Sequence, residues 1–218
     1  MLPNVNWENM LNATGETLYM TFISTIFVFI LGLLIGLVLF LTGPGQMLEN
    51  KWFNRILSAF VNVFRSIPFI ILVILIVPIT RFLVGTMLGP NAALPALILG
   101  AAPFYARLVE IALREIDKGV IEAANAMGAT LWTIVFKVLI PESLPALISG
   151  LTVTTISLIS FSAMAGVIGA GGLGNLAFLD GFQRSRMDVT WVATIIIVVL
   201  VFIIQQIGDF ITKRIDKR

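Results

Sequence analysis

Five stretches of this chain are apolar over the length a helix needs to cross a bilayer, about 20 residues at 1.5 Å of rise each. They run over 17–41, 56–79, 92–112, 145–168 and 189–208. The first, fourth and fifth carry no charge, the second carries only Arg65, and the third carries Arg107 and Glu110 near its end. None shows the sustained alternation of a strand, so the runs read as helices rather than a barrel. Composition agrees: 58% of the 218 residues are apolar and 12% charged, where a soluble domain carries about 25% charged. The expected fold is an all-α integral membrane protein with five transmembrane helices, one transmembrane domain over 1–218.

Lys and Arg orient such a chain, because they gather on the cytoplasmic side. With the N-terminus outside, the inner segments hold Lys51, Arg55, Arg114, Lys118, Lys137, Lys213, Arg214, Lys217 and Arg218, with Arg65 and Arg107 near the same side. Only Arg81, Arg184 and Arg186 remain outside. The C-terminus is therefore expected in the cytoplasm, as is the loop over about 118–143. Met1 to Glu16 contains no Lys or Arg, so the positive flank of a signal peptide is missing and the first run is expected to be retained.

Several chemistries are excluded. The chain has no Cys and no His, which removes disulfides, thiolates, Cys/His metal sites and His-based catalytic couples. No catalytic residue and no metal ligand set is assigned. A net charge of +2, scattered between apolar runs, gives no footprint for nucleic acid. Gly169-Ala170-Gly171-Gly172-Leu173-Gly174 matches G-x-G-x-x-G, but it follows a membrane helix rather than a strand and reads as a glycine-rich outer turn. No Gly-Lys pair occurs, so there is no P-loop.

Within the spans, Gly32-x-x-x-Gly36 allows close approach of a neighbouring helix. Pro68, Pro78, Pro95 and Pro103 can each kink a span. Arg107, Glu110 and Arg114 share one helical face and can pair. Arg65 is expected to snorkel inward or to face a cytoplasmic vestibule. The fourth span is rich in small hydroxylated residues, which suits a polar but uncharged pathway or a tightly packed central helix. Ser157, Ser160, Ser162 and Met164 are the pathway and gate candidates; for Met164, gap-filling in a core is the alternative. No acidic residue sits at mid-span, which counts against a proton- or sodium-coupled carrier.

The loop over 118–143 reads as a short amphipathic helix that Gly128 can end, followed by a stop at Pro141 and Pro145. Such a helix suits the groove of a partner protein, and equally a membrane surface. The segment Glu122-Ala123-Ala124-x-x-x-Gly128, continuing after nine residues as Val138-x-Ile140-Pro141, resembles the EAA loop of ABC importer permeases. It departs from that pattern only in Val for Ile and Ile for Leu. Phe64-Arg65-Ser66-Ile67-Pro68-Phe69, Ala101-Ala102-Pro103-Phe104-x-Ala106-Arg107-x-Val109-Glu110 and Ser162-Ala163-Met164-Ala165-Gly166 with its glycine run resemble methionine-importer permeases in particular.

The resemblance implies a type I importer permease in a bacterial cytoplasmic membrane. It implies a homodimer with two copies of a cytoplasmic P-loop ATPase and an extracellular substrate-binding lipoprotein. Glu122, Ala123, Ala124, Met127, Gly128 and Pro141 would then couple the chain to the ATPase. ATP and magnesium would belong to that partner, with no cofactor on this chain. Rival readings are the same machine with another small amino acid or osmolyte, an ion-coupled carrier, and a structural scaffold.

Overall fold

The first helix begins where a cap allows it, not where the apolar run does. The Asn6 side chain accepts the backbone N–H groups of Glu8 and Asn9, and α1 runs over Trp7–Leu41, starting well before Thr17. Its 35 residues span about 50 Å, more than the ~30 Å hydrocarbon core. The computed structural model describes residues 4–216.

The second apolar run departs from expectation. It is not one helix but three: α2 (Lys51–Ser66), α3 (Phe69–Leu75) and α4 (Val77–Val84). α2 and α3 meet at 105°. Proline is the cause at both breaks. Pro68 has no N–H and pushes the preceding residue out of the helical region, and Ile67 is extended at φ −77°, ψ 123°. Pro78 stands at the start of α4, where a missing N–H costs nothing. α2 is also strongly amphipathic, with Lys51, Asn54, Arg55, Ser58 and Asn62 opposite Trp52, Ile56 and Phe60.

The third span, α5 (Pro90–Arg114), runs straight through Pro95 and Pro103. Then come α6 (Lys118–Ala126) and α7 (Leu131–Ile134). The expected stop at Pro141 and Pro145 is not there. A π-helical turn over Val135–Leu139 joins α7 to α8 (Ile140–Ala165), and the helical run that starts at Leu131 breaks only at Ile168 and Gly169, which leave helical geometry. The wider turn lets Ile140 N–H reach the Val135 carbonyl just where Pro141 withholds its donor. Beyond α8 the chain turns at Gly169, Gly171 and Gly172, all with positive φ. It re-enters as α9 (Gly172–Asn175) and a π-helical turn over Leu176–Gln183, and leaves through α10 (Met187–Ile215). Among the described residues four helices are long and apolar enough to span, and the count reaches five if the bent pair of α2 and α3 is taken as one span.

α1, α3, α5 and α8 meet in the main core, built on Val28, Leu72, Ala96, Tyr105 and Leu158. A smaller core of Met10, Ala13, Leu173, Val189, Val192 and Ala193 ties α1, α9 and α10 together at the glycine-turn end. The same end is pinned by backbone and side-chain bonds. Gly89 N–H donates to the Gly169 carbonyl, Gly172 N–H to Glu16 and Leu173 N–H to Thr17. Asn4 bonds Asp188. α10 is the least covered span, with 11% of its apolar window buried, which leaves Ile195, Val198 and Phe202 for lipid or another chain.

Candidate coupling surface and membrane pathway

α6 owes its outline to its two ends. Asp117 accepts the Gly119 N–H at the start. At the finish, Gly128 N–H reaches the Asn125 carbonyl and Ala129 N–H the Ala124 carbonyl. This pair of bonds needs a left-handed residue between them, and Gly128 supplies it at φ +76°. Of the candidate coupling residues, Ala124 is buried and packs toward the bundle, while Glu122, Ala123, Met127, Gly128 and Pro141 are exposed. Met127 is 82% exposed. Trp132 and Phe136, which were not singled out from the sequence, stack beside this surface with centroids 5.8 Å apart. Their i, i+4 spacing just before the proline was the available signal.

On α8 the pathway candidates divide. Ser157, Ser160 and Met164 recur at helical spacing; Ser160 and Met164 are exposed on the side turned away from the subunit's own core, with Val153 and Val167 above and below, and Ser157 is half-buried at the edge of that face. Met164 is 44% exposed. Ser162 lies on the opposite side: it is buried, and its hydroxyl donates to the Ile159 carbonyl. The structure therefore brings Ser157, Ser160 and Met164 together and leaves Ser162 in the core.

Gly32 and Gly36 lie against α5. A Cβ at Gly32 would stand 2.6 Å from Tyr105 Cδ1, and one at Gly36 would stand 2.6 Å from the Ala106 carbonyl oxygen. On α5 itself, Glu110 is 2% exposed and is bracketed by Arg107 and Arg114. A buried carboxylate held by two guanidinium groups is a structural clamp, and both arginines also reach outward.

Arg65 stands at the last turn of α2, beside the bend. Its guanidinium lies 5.9 Å from the centroid of the Phe104 ring. It lines a cavity of about 420 Å³ with Phe64, Ile67, Phe69, Leu72, Gly100, Phe104, Ser157 and Phe161. Among the described residues no cluster of His, Cys, Asp and Glu could hold a metal ion.

A helical membrane bundle with a polar, uncharged face and a capped helix presented outside it defines a transport component. The family of binding-protein-dependent transport system inner membrane components matches residues 29–218, and the chain belongs to it. It is 64% identical over 216 residues to the methionine import system permease protein MetP of Bacillus subtilis (strain 168), covering 99% of this chain and 97% of that one. It is 51% identical to the probable D-methionine transport system permease protein MetI of Pasteurella multocida (strain Pm70), over the whole of both. Among solved structures it is similar to a chain of the MetNI methionine ABC transporter in inward facing conformations, with a TM-score of 0.94, 47% identity, and 96% and 97% of the two chains covered. An amino acid ABC transporter with histidines shares the fold at a TM-score of 0.78 and 20% identity.

Proposed function

We propose that this chain is the membrane-spanning permease subunit of an ATP-driven importer of methionine. Two copies enclose the pathway, with the Ser157, Ser160 and Met164 face of α8 turned toward the partner copy. Two cytoplasmic ATPase subunits engage the exposed side of α6 through Glu122, Ala123, Met127, Gly128 and Pro141. They bind ATP and magnesium and carry out hydrolysis; this chain contributes no catalytic group. An extracellular binding protein delivers the substrate. The chain lies in the bacterial cytoplasmic membrane with its N-terminus outside and its C-terminus in the cytoplasm.

The observation that carries the reading is α6. It is capped at both ends, anchored through Ala124, and otherwise left open outside the membrane bundle, in a chain 64% identical to a methionine import permease. A helix so held transmits force as a rigid body when a partner moves it. Uptake of labelled methionine by cells lacking and regaining this chain tests the substrate, and unchanged uptake would overturn it. Replacing Glu122 or Gly128 tests the coupling: the variants should remain in the membrane, folded, and stop transport. Retained transport in both would remove the coupling role.

A further inference from the structure

The cavity at the α2–α3 bend has features that the coupling role of α6 does not use. It lies between α2, α3, α5 and α8, beside Gly100 in the middle of α5 and Ser157 well inside α8. Its volume of about 420 Å³ falls within the ~300–1,000 Å³ range of small-molecule sites. Arg65 is the one charged residue in its lining. Among the described residues that guanidinium has no carboxylate partner, only the Phe104 ring. An arginine within a membrane span is a functional-site candidate, and the partner that a guanidinium suits is an anionic group such as a carboxylate. The opposite wall is aromatic: Phe69 and Phe161 stack with centroids 4.5 Å apart.

The bend supplies the complement. α2 ends at Ser66, and the last carbonyls of a helix have no intrahelical donor. They stand at the negative end of the helix, and Pro68 brings no N–H to meet them. Ser157 donates its proton to the Val153 carbonyl, which leaves its oxygen free to accept. A cation, a hydroxyl acceptor and an apolar wall in one cavity match an α-amino acid with an apolar side chain.

We propose that this cavity is a transit site for the carried amino acid, in which Arg65 pairs with its carboxylate. The proposal rests on the importer reading above. The test uses the assembled transporter in liposomes with a diazirine analogue of methionine as the probe. Irradiation during turnover is followed by peptide mapping. Label should fall on peptides holding Phe64 to Leu72 or Ser157 to Phe161, and excess methionine should displace it. Loss of a charge-assisted pair weakens binding about 10- to 100-fold, so Arg65→Gln should lose label by about that factor and Arg65→Lys should recover part of it. Ser157→Phe, which fills the cavity and keeps Arg65, should lose label as well. Absence of label here while the wild type takes up the probe would overturn the site. So would equal label in Arg65→Gln, or a co-purifying phospholipid that methionine does not displace. A wild type that takes up neither probe nor methionine would instead overturn the importer reading.

Discussion

Gly15 and Gly36 stand on the same helix, and alanine at the two should move stability in opposite directions. At Gly15 a new Cβ meets nothing within 4 Å. The only effect there is the lost backbone freedom of glycine in the unfolded chain, worth about 0.4–1 kcal/mol in favour of the variant. At Gly36 the Cβ would stand 2.6 Å from the Ala106 carbonyl oxygen and 2.6 Å from Val109 Cβ. Neither is the far end of a flexible side chain, so α1 and α5 must separate. Overpacking of this kind costs about 1–3 kcal/mol, enough to outweigh the entropic gain. Val109→Ala should rescue little, because it removes the two γ-methyls, with Cγ1 at 2.7 Å, and leaves both closer atoms in place. The assay is reversible unfolding in mixed micelles, read as the shift in midpoint between each variant and wild type. Gly36→Ala at or above wild-type stability would refute the close approach of α1 and α5, with Gly15→Ala as the internal control.

Other outcomes follow from particular contacts. Glu110→Gln removes the buried counter-charge of Arg107 and Arg114, which are themselves 27% and 56% exposed and stay solvated, so the loss is that of the charged hydrogen bonds, about 1.5–3 kcal/mol. Monodisperse yield after extraction should fall sharply, while Arg114→Gln, at a residue 56% exposed, should change it little; equal yields would exclude the clamp. The chain has no cysteine, so Met164→Cys should cross-link two copies under oxidant in membranes and the buried Ser162→Cys should not. Cross-linking at both or neither would show that α8 presents a different face. Glu16→Ala removes the acceptor of the Gly172 N–H; Gly172 is buried, so the donor left unpaired should cost about 1–3 kcal/mol, seen as faster amide exchange over Gly171 to Leu173. The Glu49 carboxyl is held below its ordinary range by the Gly45 N–H first and Lys51 second. A depressed value means the turn is intact above the ordinary carboxylate value and loosens as pH falls through the lower, folded one. The protection factor of the Gly45 amide, its exchange relative to the intrinsic rate at the same pH, should therefore fall near pH 3 relative to pH 6; no change would remove Glu49 from the turn.

The spans were legible because apolar length alone decides which segments can cross a bilayer, and the Gly128 cap was legible because only glycine suits that backbone. Proline was not legible by identity. Pro68 and Pro78 break the second run into three helices, whereas Pro95 and Pro103 leave α5 whole. The difference lies in the neighbours. In α5, 61% of the apolar window is buried, and Ala101, Ala102, Pro103 and Ala106 are gripped by α1 and the rest of the core. In α2 only Val61 is buried, so nothing holds the helix together across a missing bond. At Pro141 the answer is different again, a π-turn that re-pairs the ladder. Glu16 was unreadable for the same reason: its partner lies 156 residues away in the chain, and no local pattern announces it.

The fourth span shows how composition can misstate chemistry. Its hydroxyl residues suggested a polar lining, yet Thr152, Thr154, Thr155 and Ser157 each donate to a carbonyl one turn back on the same helix. Thr152, Thr154 and Thr155 are buried and spend their protons inside α8, so Ser157 and the exposed Ser160 are the hydroxyls left on the open side. Ser157 there keeps oxygen lone pairs that can accept from an ammonium group. A carboxylate is held about twice as strongly by an ionised donor as by a neutral hydroxyl. Arg65, at the bend of the second span and across the cavity from Ser157, is where the fold places an ionised donor. In the proposed site the broken span and the self-bonded span are complementary halves of one environment: the Ser157 oxygen would meet the positive end of the substrate, and Arg65 at the α2–α3 bend the negative one.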